Sequence, residues 1–109
     1  MSVSSPSKEL LIVGNDTIAF GAIKALKEAG VRVPEDIALV GYDDIPTAEF
    51  ASPPLTTVRT DTIGLCRDSM AMLLALLRRE PVPQVLYPER PVELVVRESC
   101  SARRFKAKK

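Results

Sequence analysis

The chain has 109 residues, 46% of them hydrophobic, which is enough for one compact domain or a piece of one. With 15 Lys and Arg against 14 Asp and Glu, its net charge of +1 gives no electrostatic reason to expect a nucleic-acid surface or an acidic partner. It has no His, no Trp and no glycine-rich phosphate loop, so the commonest general base and metal ligand is missing, no cofactor or metal is expected, and enzyme readings start at a disadvantage.

Residues 1–8 read as a disordered N-terminal segment. They lack the basic start and apolar core of a secretion signal and are no membrane span. Residues 9–13 form an apolar run ending at Gly14, which suits a strand of a parallel sheet covered on both faces. A helix follows, capped by Asn15 or Asp16, with Ile18, Ala19, Ala22, Ile23 and Leu26 recurring on one face and Gly30 as a left-handed C-cap. After the connector 31–36, Ile37–Gly41 is a second apolar run, so strand, helix and strand form one right-handed parallel β-α-β unit. Ligands of open α/β sheets bind at the C-terminal strand ends, where Asn15-Asp16 and Tyr42-Asp43-Asp44 emerge.

The proline-rich stretch 45–54 reads as a loop or crossing segment. Leu55–Arg59 has the β-branched content of a strand, and Thr60 or Asp61 caps the helix after it. Leu65, Met72, Leu73, Leu76 and Leu77 line an apolar side of that helix. The stripe is too short for a bilayer, which needs ~20 residues, so core packing is the better account. Pro81 and Pro83 end the helix, and Val92–Arg97 is a last strand. Residues 102–109 read as a basic, disordered tail, with weak contact to nucleic acid or membrane as the alternative. Cys66 and Cys100 match no metal or redox spacing and read as free thiols of a cytoplasmic protein.

Four segments carry a family resemblance: residues 15–22 (NDTIAFGA), 29–36 (AGVRVPED), 40–44 (VGYDD) and 53–58 (PPLTTV). In order and spacing they resemble the LacI/GalR-type transcriptional regulators, and Val95-Val-Arg-Glu-Ser99 is similar to the last strand of those proteins. The resemblance covers about residues 9–101, a partial effector-binding and dimerisation domain. It implies a partial periplasmic-binding-protein-like (type I) α/β fold, with parallel β-α-β units and a crossing segment between two incomplete lobes that hold a small effector, often a sugar or purine. Residues up to about 44 resemble the end of the C-terminal lobe, residues 55–80 resemble the last strand-helix unit of the N-terminal lobe, and the terminal strand returns to the first. DNA contact is implied only through a helix-turn-helix that this sequence does not contain.

The resemblance makes Asp43 the strongest effector-binding candidate, since a carboxylate offers two acceptor oxygens to hydroxyl or N–H groups. A turn cap is its alternative role. Asn15 matches a ligand-contacting position, with the helix N-cap as its alternative, and Thr60 and Thr62 match positions facing the cleft. Phe20, Lys24, Thr47, Phe50 and Ala51 match the surface through which such regulators dimerise, although Phe20 also suits a plain core role. A partial sheet leaves apolar faces without partners, so self-association is expected, strand exchange between chains included.

Three other readings stay open. A solute-binding protein of a sugar transporter shares the fold but needs export. An enzyme would use Asp43 and Asp44, yet neighbours on a strand point to opposite faces and no nucleophile is evident beside them. An inactive truncated product is the last.

Overall fold

The computed structural model describes residues 9–82 and 90–102, so the expected N-terminal segment 1–8, Pro83 and the basic tail from 103 onward lie outside the described residues. The element order is β1 (Glu9–Ile12), α1 (Asp16–Glu28), β2 (Ile37–Asp43), a 3-10 helix (Pro46–Phe50), β3 (Thr56–Arg59), α2 (Thr62–Leu77) and β4 (Glu93–Val95). The chain divides into two compact units, residues 60–92 forming the second and the remainder the first.

In the first unit the four strands make one sheet in the order β1-β2-β3-β4. β1, β2 and β3 run parallel, with Ile12 opposite Val40 and Asp43 opposite Arg59, while β4 returns antiparallel with Glu93 opposite Arg59. The β-α-β unit is therefore present as expected. The expectation that 55–59 belongs with 60–80 is corrected, because β3 satisfies its backbone groups by pairing with β2 and β4 in the first unit. Only the chain beyond Arg59 enters the second.

Asn15 caps α1 by accepting the Ile18 N–H at 2.9 Å. The helix ends as Gly30 invites: at φ 74° it sends its N–H to Lys27 O, and Val31 sends its own to Leu26 O, which is the paired closure of a glycine-stopped helix. Ala19 and Ile23 on α1 meet Leu39, Ala48 and Leu55 in the core, with Leu11, Val13 and Phe20 packed around them. Each fully buried leucine is worth roughly 1.5–3 kcal/mol, and Leu39 and Leu55 are both wholly inaccessible.

Burial of β1 on both faces is not found. Paired residues of neighbouring strands share a face, and the side opposite the core carries Leu10, Ile12, Tyr42 and Leu94, all exposed. β1 is an edge strand covered from one side, because α1 and the 3-10 helix meet only the face that bears Leu11 and Leu39.

In the second unit Asp61 caps α2 through the Gly64 N–H at 3.0 Å. Arg90 then ties that end down, pairing with Asp61 and Asp68 and donating to Gly64 O. The core role expected of the apolar stripe on α2 is corrected: Leu65, Leu73, Leu76 and Leu77 are exposed, Leu77 by 71%, and Met72 is half-buried, since among the described residues its unit contains no other helix or strand to pack on. No helix among the described residues is long and apolar enough to cross a membrane.

Candidate functional site

The C-terminal ends of the three parallel strands converge on one edge of the sheet, and chemistry-bearing side chains gather there. Asn15 emerges after β1, Asp43 closes β2 and Arg59 lies opposite it on β3. Asp43 is exposed with φ 111°, and Asp44 follows at φ 52°. Non-glycine residues in this half of backbone space cost about 1–3 kcal/mol each and persist where their surroundings over-determine them. Among the described residues the Asp43 carboxylate makes no hydrogen bond or ion pair, so both acceptor oxygens stay available to a ligand. Its alternative role as a turn cap is not found, since among the described residues neither the Asp43 nor the Asp44 carboxylate accepts a backbone N–H, and Asp44 is committed to arginines.

The Asp44 side chain is only 10% exposed, with one oxygen 2.9 Å from Arg97 Nη2 and the other 2.8 Å from Arg59 Nε. Partial burial works against its charge, but the two guanidinium groups outweigh that effect and hold the carboxyl below its ordinary range. The same carboxylate lifts the Arg59 guanidinium above its usual value, helped by the Asp44 hydrogen bond first and its charge second. Arg97 is anchored again by Nη1 to Leu55 O at 2.9 Å and by its backbone N–H to Thr56 Oγ1 at 2.8 Å.

Beneath this lies Asp16, fully buried, which was expected to act as a helix cap and does not. Asn15 takes that task, leaving the Asp16 carboxylate to accept the Thr57 hydroxyl at 2.6 Å and the Ile45 N–H at 2.9 Å. Thr57 Oγ1 in turn accepts the Asp44 N–H at 3.2 Å. Gly41 makes this possible, because a Cβ there would collide with the Asp16 carboxylate and lie 3.0 Å from Leu55. α1, β2 and β3 are thus cross-linked directly under the Asp43 edge.

Of the remaining candidates, Thr60 and Thr62 belong to the second unit, where their hydroxyl oxygens are 3.3 Å apart. Phe20, Lys24, Thr47, Phe50 and Ala51 come together: all five line one open groove of about 730 Å³ between α1 and the 3-10 helix, with the buried Ile23 beside them. Phe50 is 79% exposed there, while Phe20 serves both the groove and the core. Both cysteines are free, and no cluster of metal-ligating side chains occurs among the described residues.

Sequence reasoning singled out Asn15 and Asp43 but missed the support beneath them, namely the buried bonds of Asp16 to Thr57 and Ile45 and the grip of Arg97 on Asp44. The one signal available was the Asn15-Asp16 pair itself, since a helix start needs a single cap and the second polar side chain must go elsewhere.

Residues 2–100 match the family described as periplasmic binding protein-like domain. The chain is 44% identical over 92 residues to the HTH-type transcriptional repressor MelR of Bacillus subtilis, covering 84% of this chain and 26% of that protein. Among solved structures, it resembles a LacI family transcriptional regulator from Lactobacillus casei with bound sucrose at 38% identity and a TM-score of 0.67, across 84% of this chain and 33% of that one. A dimeric Lac repressor with a C-terminal deletion is similar at 35% identity and a TM-score of 0.65, with the same shares covered. The chain spans about a quarter of the length of the curated relatives it matches.

Proposed function

Because the chain belongs to the periplasmic binding protein-like family, in the branch of LacI/GalR-type regulators, we propose that it serves as part of the effector-sensing and dimerisation module of such a transcriptional regulator. Asp43 is the effector acceptor, and Asn15 adds an amide beside it whose N–H₂ is left over from the capping bond. Thr60 and Thr62 offer hydroxyls of the same hydrogen-bonding class in the second unit. The effector is a small polyhydroxylated molecule, a sugar first of all, which the sucrose-bound relative supports. DNA enters only through a reading head outside this sequence, and the working compartment is the cytoplasm. The module is not an enzyme.

The observation that carries this reading is Asp43: a carboxylate with no partner among the described residues, on a left-handed backbone, at the C-terminal edge of a parallel sheet. The groove lined by Phe20, Lys24, Thr47, Phe50 and Ala51 supports self-association, and one similar structure is of a dimeric repressor.

A pocket buries most of its ligand, and this chain matches only part of each sensor, so weak binding is expected. Titrating the chain with simple mono- and disaccharides and purine bases while following amide shifts tests it. Millimolar perturbations centred on Asn15 and Asp43, and lost in Asp43→Ala, are the expected result. Perturbations elsewhere, or none, would overturn the effector reading, and micromolar saturation would contradict the weak-binding part.

A further inference from the structure

Asp43 holds a backbone conformation that nothing in its own side chain secures, so the constraint comes from the residues that follow it. Three grips act on Asp44 and Ile45. The Asp44 N–H is held by Thr57 Oγ1, the Ile45 N–H by the buried Asp16, and the Asp44 carboxylate by Arg59 and Arg97. The two arginines are not equivalent. Arg59 has half of its side chain in water and shares its other nitrogen with exposed Glu93 at 3.5 Å, which leaves it free to swing. Arg97 is 14% exposed, and its second nitrogen is fixed to Leu55 O while its backbone N–H is fixed to Thr56 Oγ1. A planar guanidinium held at both ends transmits position in a way that a flexible point charge cannot.

We propose that Arg97 is a positioning residue for Asp43: by clamping Asp44 to the start of β3 it keeps Asp43 in the left-handed conformation that presents its carboxylate at the sheet edge. This rests on the reading of Asp43 as the effector acceptor, and it adds a specificity-setting residue from the far end of the chain. Loss of Arg97 lets the pair 43–44 relax towards ordinary strand geometry, and the acceptor oxygens move away from the place where a hydroxyl would meet them.

The test separates position from binding. In the full chain, the backbone HN–Hα coupling of Asp43 is expected to rise towards the large value of an extended strand in Arg97→Met. It should return only part of the way in Arg97→Lys, whose point charge can meet Asp44 but not Leu55 O at the same time, and stay nearly unchanged in Arg59→Met. Glycine is at ease at positive φ, so Asp43→Gly is expected to raise the melting temperature of the wild type by roughly 4 °C and to give no gain in the Arg97→Met background. Should Arg97→Met fail to fold, the same cycle is run with Arg97→Lys, where a reduced gain is expected. An equal gain from glycine in both backgrounds, or an Asp43 coupling indifferent to residue 97, overturns the proposal. D-glucose is then titrated into wild type and Arg97→Lys, with a several-fold weaker response expected in the variant. If wild type shows no response while the coupling and melting results hold, the effector reading fails and the positioning role stands.

Discussion

Ser99 and Leu39 bind one another twice across sixty residues of sequence: the Leu39 N–H donates to Ser99 O at 2.9 Å, and the Ser99 hydroxyl donates to Leu39 O at 2.6 Å. The same hydroxyl accepts the Thr56 N–H at 2.8 Å, and Ser99 N–H reaches Pro54 O. One buried side chain therefore completes the backbone pairing of β2 and β3 where the regular ladders stop.

Removing that hydroxyl strands a buried carbonyl and a buried N–H. We expect Ser99→Ala to lose about 2–3 kcal/mol of stability, read as a lower urea midpoint at unchanged slope. A loss below about half a kcal/mol would mean that water replaces the hydroxyl without strain.

Asp44 gives the sheet edge a pH dependence of definite sign. Its folded pKa is held below the ordinary 3.8, so its contribution is complete above that value and disappears as the pH falls through the depressed one. The stability difference between wild type and Asp44→Asn should be constant from neutral pH down to about 5 and then shrink in acid. A gap that widens on acidification would reverse the assignment.

Gly41 and Asp16 should couple. Gly41→Ala drives a methyl group into the Asp16 carboxylate, and overpacking of this kind costs about 1–3 kcal/mol. Asp16→Ala leaves the Ile45 N–H without its acceptor and is expected to cost about 2–4 kcal/mol. In the double variant the clash is gone, so the combined loss should fall short of the sum by more than 0.5 kcal/mol or so. Strict additivity in chemical denaturation would show that Leu55, not Asp16, sets the cost at Gly41.

The groove makes a claim about assembly. In sedimentation, wild type is expected to associate reversibly, and Phe50→Glu to weaken that association about tenfold or more without lowering the melting temperature, because Phe50 is largely outside the core. Unchanged association in Phe50→Glu would move the contact to another face, for which the exposed row of Leu10, Ile12 and Leu94 is the next candidate.

What could be read in the sequence is what local periodicity and stop signals encode. The apolar spacing of Ile18 to Leu26, the glycine at 30 and the run Ile37–Gly41 define a β-α-β unit whose strand ends carry Asn15 and Asp43, and the structure contains it. Composition also marked 55–59 as a strand, but a strand's pattern does not name the sheet it joins, and β3 lies beside β2 rather than with the chain that follows it. The deeper part of the site escaped for the same reason. Asp16 meets Thr57 from 41 residues away and Arg97 meets Leu55 from 42, separations at which no periodicity operates. The α2 stripe misled in the opposite sense: a helix records which side wants burial, not whether its own unit provides it.

The register that sets Arg59 opposite Glu93 also fixes where the second unit begins and ends. The chain departs at one residue and comes back at its cross-strand neighbour, about 5 Å away. Topologically, residues 60–92 are a guest inserted into the tip of a hairpin whose two arms are β3 and β4. A two-residue turn spans that gap without strain, so the host sheet could be re-joined there by deletion, and the guest exchanged for another without changing the direction of either arm.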